Sequence, residues 1–127
     1  MFSTFLAVLI AGGVGSAARW YLGLKMNSIS PTIPLGTLAV NLIGAFVIGF
    51  AIAIFGRMSN VDPVLKAVIT TGFCGGFTTF STFSLEVVYM LQAGRFGDAV
   101  LNISLNLFGS LALTLLGFMV VSWYNAH

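Results

Sequence analysis

The sequence predicts an all-α integral membrane protein with four transmembrane helices, the third broken mid-membrane. Three observations predict it. Hydrophobic residues make up 58% of the chain, charged residues only 6%, and the apolar sequence falls into four runs, each long enough to cross a bilayer. A soluble domain needs about a quarter of its residues charged to cover its surface, so the solvent of this chain is lipid. Its 127 residues suffice for a single transmembrane domain, 1–127.

A spanning helix takes about 20 mostly apolar residues. The first run extends from about Phe2 to Leu24. It carries neither a basic leader nor a clear cleavage site, so it is expected to be a retained span. A polar link containing Pro31 and Pro34 leads to the second run, Leu35 to about Gly56. Asp62-Pro63 then supplies an N-cap acid followed by a proline whose missing N–H costs nothing at a helix start. The third run is Val64 to about Ala93, and its break is expected near 75–79. Past Gly94-Arg95-Phe96-Gly97, Asp98 is a first-turn acid for the fourth run, about Ala99 to Tyr124. Trp20-Tyr21 and Trp123-Tyr124 are interfacial anchors, expected at opposite membrane faces.

Loop charge bears on orientation. Lys25 and Arg95 lie on one side, with Arg19 just inside helix 1, and Arg57 and Lys66 lie on the other. The positive-inside rule needs a clear excess. Its near-absence permits insertion both ways up, and hence an antiparallel dual-topology homodimer. The alternative is that a count over such short loops is noise. Ala7, Ala11 and Gly15 in helix 1, and Ala45, Gly49 and Ala53 in helix 2, make small-residue ridges for close helix contact, between copies or within one chain.

Several functions are excluded. No Lys/Arg cluster suggests nucleic-acid binding. Cys74 is the only cysteine and His127 the only histidine, so an intrachain disulfide and a Cys/His metal site are ruled out. The many hydroxyls have no histidine or paired acid to activate them, so the chain is not expected to be an enzyme.

The most unusual stretch is 70–84, with Gly72, Gly75 and Gly76 followed by a crowd of Ser and Thr. Each glycine costs up to about 1 kcal/mol of helix propensity relative to Ala. A break at Gly75-Gly76 is the natural expectation, with freed carbonyls able to coordinate a cation; a glycine packing contact in an unbroken helix is the alternative. Phe73, Phe77, Phe80 and Phe83 recur at helical spacing on one face. Such a stripe is usually a lipid or packing face, yet ring edges are positive and, in a dry pore, suit a small anion.

Asn102, Asn106, Ser110 and Thr114 form a polar stripe on helix 4, and Thr37 and Asn41 add to it from helix 2. It serves either as interhelical glue or as a pore lining. Having no ionisable group, it suits passive ion passage better than proton-coupled transport. Arg19 either snorkels to the interface or forms a positive vestibule for anions. Glu86 is either a structural hydrogen-bond acceptor or a conduction residue, the first being favoured because a carboxylate repels anions.

Four segments, one per helix, resemble the Fluc fluoride channels, the CrcB family. They are 12–20 (GGVGSAARW), 36–44 (GTLAVNLIG), 72–86 (GFCGGFTTFSTFSLE) and 106–114 (NLFGSLALT). The third is long and very specific. The departures are mild: Ser16 where alanine is common, and Trp20 where tyrosine is common. The resemblance implies an antiparallel dual-topology homodimer with two pores in the bacterial inner membrane. It implies passive fluoride export that protects the cytoplasm, and a structural Na+ at the dimer centre on backbone carbonyls matching Gly75 and Thr78. It further implies pore phenylalanines at Phe80 and Phe83, a pore asparagine at Asn41, track hydroxyls at Ser110 and Thr114, and a vestibule arginine at Arg19. Ser81 and Thr82 are taken with the pore residues. The runner-up functions are a small dual-topology multidrug/proton antiporter, which needs a deep acid that helix 1 lacks, and a non-transporting assembly subunit.

Overall fold

The computed structural model describes residues 1–126; His127 lies outside the described residues. Every regular element among them is helical. α1 is Phe2–Met26 and α2 is Leu35–Phe55. α3 is the helical run 63–77, in which Pro63–Ala67 and Gly75–Phe77 are α-helical and Val68–Cys74 is a π-helix. α4 is Phe80–Gln92 and α5 is Phe96–Ala126. Three of these, α1, α2 and α5, are long and apolar enough to cross a membrane, with mean hydropathies of 1.4, 2.5 and 1.9. The third apolar run is divided between α3 and α4.

Helix ends follow local chemistry. The Asp62 carboxylate accepts from the Val64 N–H at 2.9 Å, with Pro63 as the first helical residue. α2 has no side-chain cap from its own N-cap residue, Pro34; Asn27 Oδ1 accepts from the Thr37 N–H at 3.1 Å instead. α4 and α5 are joined by a tight turn in which Gly94 has φ 76°, a left-handed conformation that favours glycine. α5 starts at Phe96, earlier than the expected Ala99. Asp98 therefore lies in its first turn, paired with Arg95 at 2.8 Å. Arg95 also donates to the Thr32 carbonyl at 2.7 Å and ties the 27–34 link to this end of the molecule.

α2 packs chiefly along α5, and α1 along α3. The small-residue ridges are used at these seams, inside the chain. A Cβ on Gly15 would come within 2.8 Å of the Phe77 amide nitrogen, and one on Gly76 would meet the Gly12 backbone. Ala11 lies against Gly72, and Gly49 against the Thr114 backbone. The ridges thus serve intrachain contact and lend no support of their own to a dimer. A small core of Ile33, Val87, Met90 and Ala99, with Phe83 packed against it, closes the end near the 27–34 link. Elsewhere large apolar side chains point outward, Leu9, Ile10, Val100 and Leu115 among them. Trp20, Tyr21, Trp123 and Tyr124 are also exposed. In lipid such faces carry no hydrophobic penalty.

The break lies at Thr78–Thr79, inside the 75–79 range but past Gly75-Gly76. Gly75 is helical at φ −62° and ψ −37°. Thr78 turns extended at ψ 161°, and Thr79 follows at φ −151° and ψ 120°. Gly72 and Gly76 are spent on close approach to α1, and the interruption is made by hydrogen bonds from Asn41 on α2 and from the Thr79 hydroxyl. It also divides the phenylalanine stripe. Phe73 and Phe77 stack on α3 at 5.1 Å between centroids, while Phe80 and Phe83 pair on α4. The four therefore do not share one helical face.

Candidate functional site

In an uninterrupted helix the Thr79 N–H would donate to the Gly75 carbonyl, and the Thr82 N–H to the Thr78 carbonyl. Neither does so. The Asn41 Oδ1 takes the Thr79 N–H at 2.8 Å, and the Thr79 hydroxyl takes the Thr82 N–H at 3.1 Å as the cap of α4. The Gly75 and Thr78 carbonyls thereby lose their helical donors. The Gly76 carbonyl finds one in Arg19, whose Nε donates to it at 3.1 Å. Thr78 closes α3 with its own hydroxyl, which donates to the Cys74 carbonyl at 2.9 Å. Non-helical backbone at membrane depth survives only with such partners or beside a polar cavity, and both are present.

The cavity is a cleft of about 450 Å³ between α2, α3, the start of α4 and α5. It gathers most of the residues that the sequence singled out: Asn41, Gly75, Thr78, Phe80, Phe83, Ser110 and Thr114 all line it. Phe80 and Phe83 meet edge to face, 5.7 Å between centroids and 66° between planes. Phe80 remains 79% exposed along the open side. Thr114 is anchored, its hydroxyl donating to the Ala45 carbonyl at 2.9 Å.

A second, smaller cleft of about 270 Å³ holds Arg19 and Thr82, with Thr37 and Asn27. Thr79 borders both clefts, so the break forms the wall between them. Arg19 is directed at the break, its Nε donating to the Gly76 carbonyl. Ser81 is exposed and lines neither cleft. It follows Phe80 on the first turn of α4 and faces outward.

Three further residues belong to the site: Asn102 and Asn106, which the sequence placed on the polar stripe, and Thr79, which it did not single out. Thr79 is the hinge of the break; a Thr immediately before an apolar helical run is a legible N-cap signal. Asn106 is buried and lines the large cleft; its Oδ1 accepts from Asn41 Nδ2 at 2.9 Å. Asn102 is fully buried, and its backbone and side-chain oxygens accept from Asn106 Nδ2 at 3.0 and 2.9 Å. Helical spacing had put both asparagines on one stripe, and only the fold reveals that they act as a pair. Glu86 sits beyond them, accepting from the Thr37 hydroxyl at 2.5 Å.

The arrangement offers a small ion a lining of hydroxyls, aromatic ring edges and backbone oxygens, with an arginine on the far side of the break.

Comparison with known proteins points the same way. The family described as "CrcB-like protein, Camphor Resistance (CrcB)" matches residues 6–118. A Serratia proteamaculans (strain 568) protein named "Fluoride-specific ion channel FluC" is 63% identical over all 127 residues of both chains. Proteins of the same name from Escherichia coli O139:H28 and O9:H4 are 60% identical, again over the full length of both.

Proposed function

The chain belongs to the CrcB family, and on that premise we propose that it is a fluoride-selective channel, a multi-pass protein of the bacterial inner membrane that lets fluoride leave the cytoplasm passively. The observation that carries this reading is the convergence of Asn41, Phe80, Phe83, Ser110 and Thr114 on one cleft, in a chain 60–63% identical to proteins named as fluoride channels. Fluoride is small and holds its water tightly, so a pathway must replace that water. The Ser110 and Thr114 hydroxyls supply donors, and the edges of the Phe80 and Phe83 rings supply partial positive charge. No carboxylate lines the cleft to repel the ion. Arg19, across the break, raises the local anion concentration.

The functional unit in this reading is an antiparallel homodimer of dual topology. The cleft is open along one side, with Phe80 exposed there. An anion cannot pass beside open hydrocarbon, so a second copy must close the conduit, and the near-balanced loop charges permit that copy to insert inverted. A structural Na+ fits the same centre. The Gly75 and Thr78 carbonyls have lost their helical donors and are hard oxygen ligands of the kind that hard cations take. Bound there, the ion would supply fixed positive charge and hold the two breaks together.

Fluoride efflux from liposomes reconstituted with the purified protein tests the function. Rapid emptying is expected, independent of a proton gradient. Flux that requires a proton gradient would point instead to the antiporter, and no flux at all to an assembly subunit.

A further inference from the structure

An acceptor-only group at one end of a hydrogen-bonded row of amides fixes the direction of every amide in the row. The row here has four members before it reaches the backbone. The Glu86 carboxylate accepts from Thr37 through Oε2, while its Oε1 is buried without a hydrogen-bond partner. Asn102 stands against that carboxyl, and its Nδ2 is likewise buried and unpartnered. The side chain of Asn102 interacts with that carboxyl, so its amide is the donor set against it. With Nδ2 drawn to a carboxylate, the Asn102 Oδ1 is left for Asn106, whose Nδ2 donates to it. Asn106 then presents Oδ1 to Asn41 Nδ2. Asn41 in turn uses its remaining N–H on the Thr79 carbonyl at 3.2 Å and its Oδ1 on the Thr79 N–H. Each amide is thus oriented by its predecessor, and the last of them grips the break. Both N–H groups of Asn41 are committed to protein oxygens in this conformation.

We propose that Asn102 is a positioning residue, directed by the Glu86 carboxylate, that orients the amides of Asn106 and Asn41 and so holds Thr79 in the extended conformation on which the ion pathway depends. The proposal rests on the channel reading for its functional consequence, but its structural content stands apart from it. Asn102 is fully buried and lines neither cleft, so it acts through Asn106 and Asn41 and not on the ion.

The test combines amide hydrogen exchange at Thr79 with fluoride efflux, in the reconstituted full-length protein. Asn102→Leu removes the link while nearly keeping volume. It is expected to speed Thr79 exchange about tenfold, the scale of one lost hydrogen bond, and to slow efflux. Glu86→Gln, which replaces the acceptor-only group by an isostere of either polarity, is expected to do the same although residues 86 and 79 share no hydrogen bond. In an Asn41→Ala background, where the grip on Thr79 is already absent, Asn102→Leu should add nothing. Thr79 exchange unchanged in both single variants, or effects that add in full to Asn41→Ala, would overturn the proposal. If Asn102→Leu fails to fold, Glu86→Gln carries the test alone. Absence of fluoride efflux in the unmodified protein would defeat the channel reading and leave the exchange measurement standing.

Discussion

Asn41 holds both backbone groups of Thr79, accepting from its N–H at 2.8 Å and donating to its carbonyl at 3.2 Å across 38 residues of sequence. The amide side chain thus imitates a backbone partner and stabilises two extended residues in the middle of an apolar run. Without it the Thr79 N–H would return to the Gly75 carbonyl, and the helix would close over the break.

Asn41→Ala removes two hydrogen bonds from a part-buried backbone, a loss on the order of 1–3 kcal/mol. Fluoride efflux from proteoliposomes is expected to fall at least about tenfold while the purified protein stays folded. A full-rate channel would show that the break does not need this amide.

The edge-to-face pair of Phe80 and Phe83 is the least ordinary part of the lining. Phe80→Ile keeps an apolar side chain but discards the positive ring edge, an interaction of about 0.5–1.5 kcal/mol for an aromatic pair. Efflux should slow by roughly tenfold, as expected for about 1.4 kcal/mol. An unchanged rate would remove the ring edges from the pathway.

Close approach of α1 to α3 predicts a steric contrast. Gly15→Ala and Gly76→Ala each push a methyl into backbone and should destabilise the fold by about 1–3 kcal/mol, seen as a lowered thermal midpoint in detergent. Gly97→Ala, in the first turn of α5 with nothing within 4 Å of the new methyl, should leave the midpoint unchanged or raise it slightly.

If Gly75 and Thr78 carbonyls hold sodium, the ion stabilises the folded state by mass action. Replacing sodium with N-methylglucamine throughout purification should lower the thermal midpoint, and restoring sodium should recover it. Equal midpoints at equal ionic strength would remove the cation from the account.

Much of this was legible in the sequence, because lipid imposes simple rules on composition and run length. The three long helices follow from apolar runs, and the Asp62 cap from an Asp-Pro pair. The position of the break was legible only to within 75–79. Glycine propensity pointed to Gly75-Gly76, yet those glycines remain helical because Gly76 is needed against Gly12. The break at Thr78–Thr79 is held by Asn41, from another helix, a long-range contact that the local N-cap signal at Thr79 does not show. The start of α5 was placed about a turn late: Phe96 and Gly97 read as link but join Asp98 in a helical first turn, where Arg95 pairs with Asp98. The polar stripe was visible as a periodicity, but the separation of Asn102 and Asn106 from Ser110 and Thr114 depends on burial. Ser81, adjacent to the right residues, lies on the outward side of its turn.

The central claim is that the cleft beside Thr78–Thr79 passes fluoride and discriminates against other halides. Its most direct test is the paired dumping of fluoride and of chloride from liposomes that contain the purified protein and are held at zero voltage by an ionophore for the counter-cation. The account predicts that fluoride empties within seconds while chloride stays at the leak rate of protein-free vesicles. Chloride emptying as fast as fluoride would contradict it.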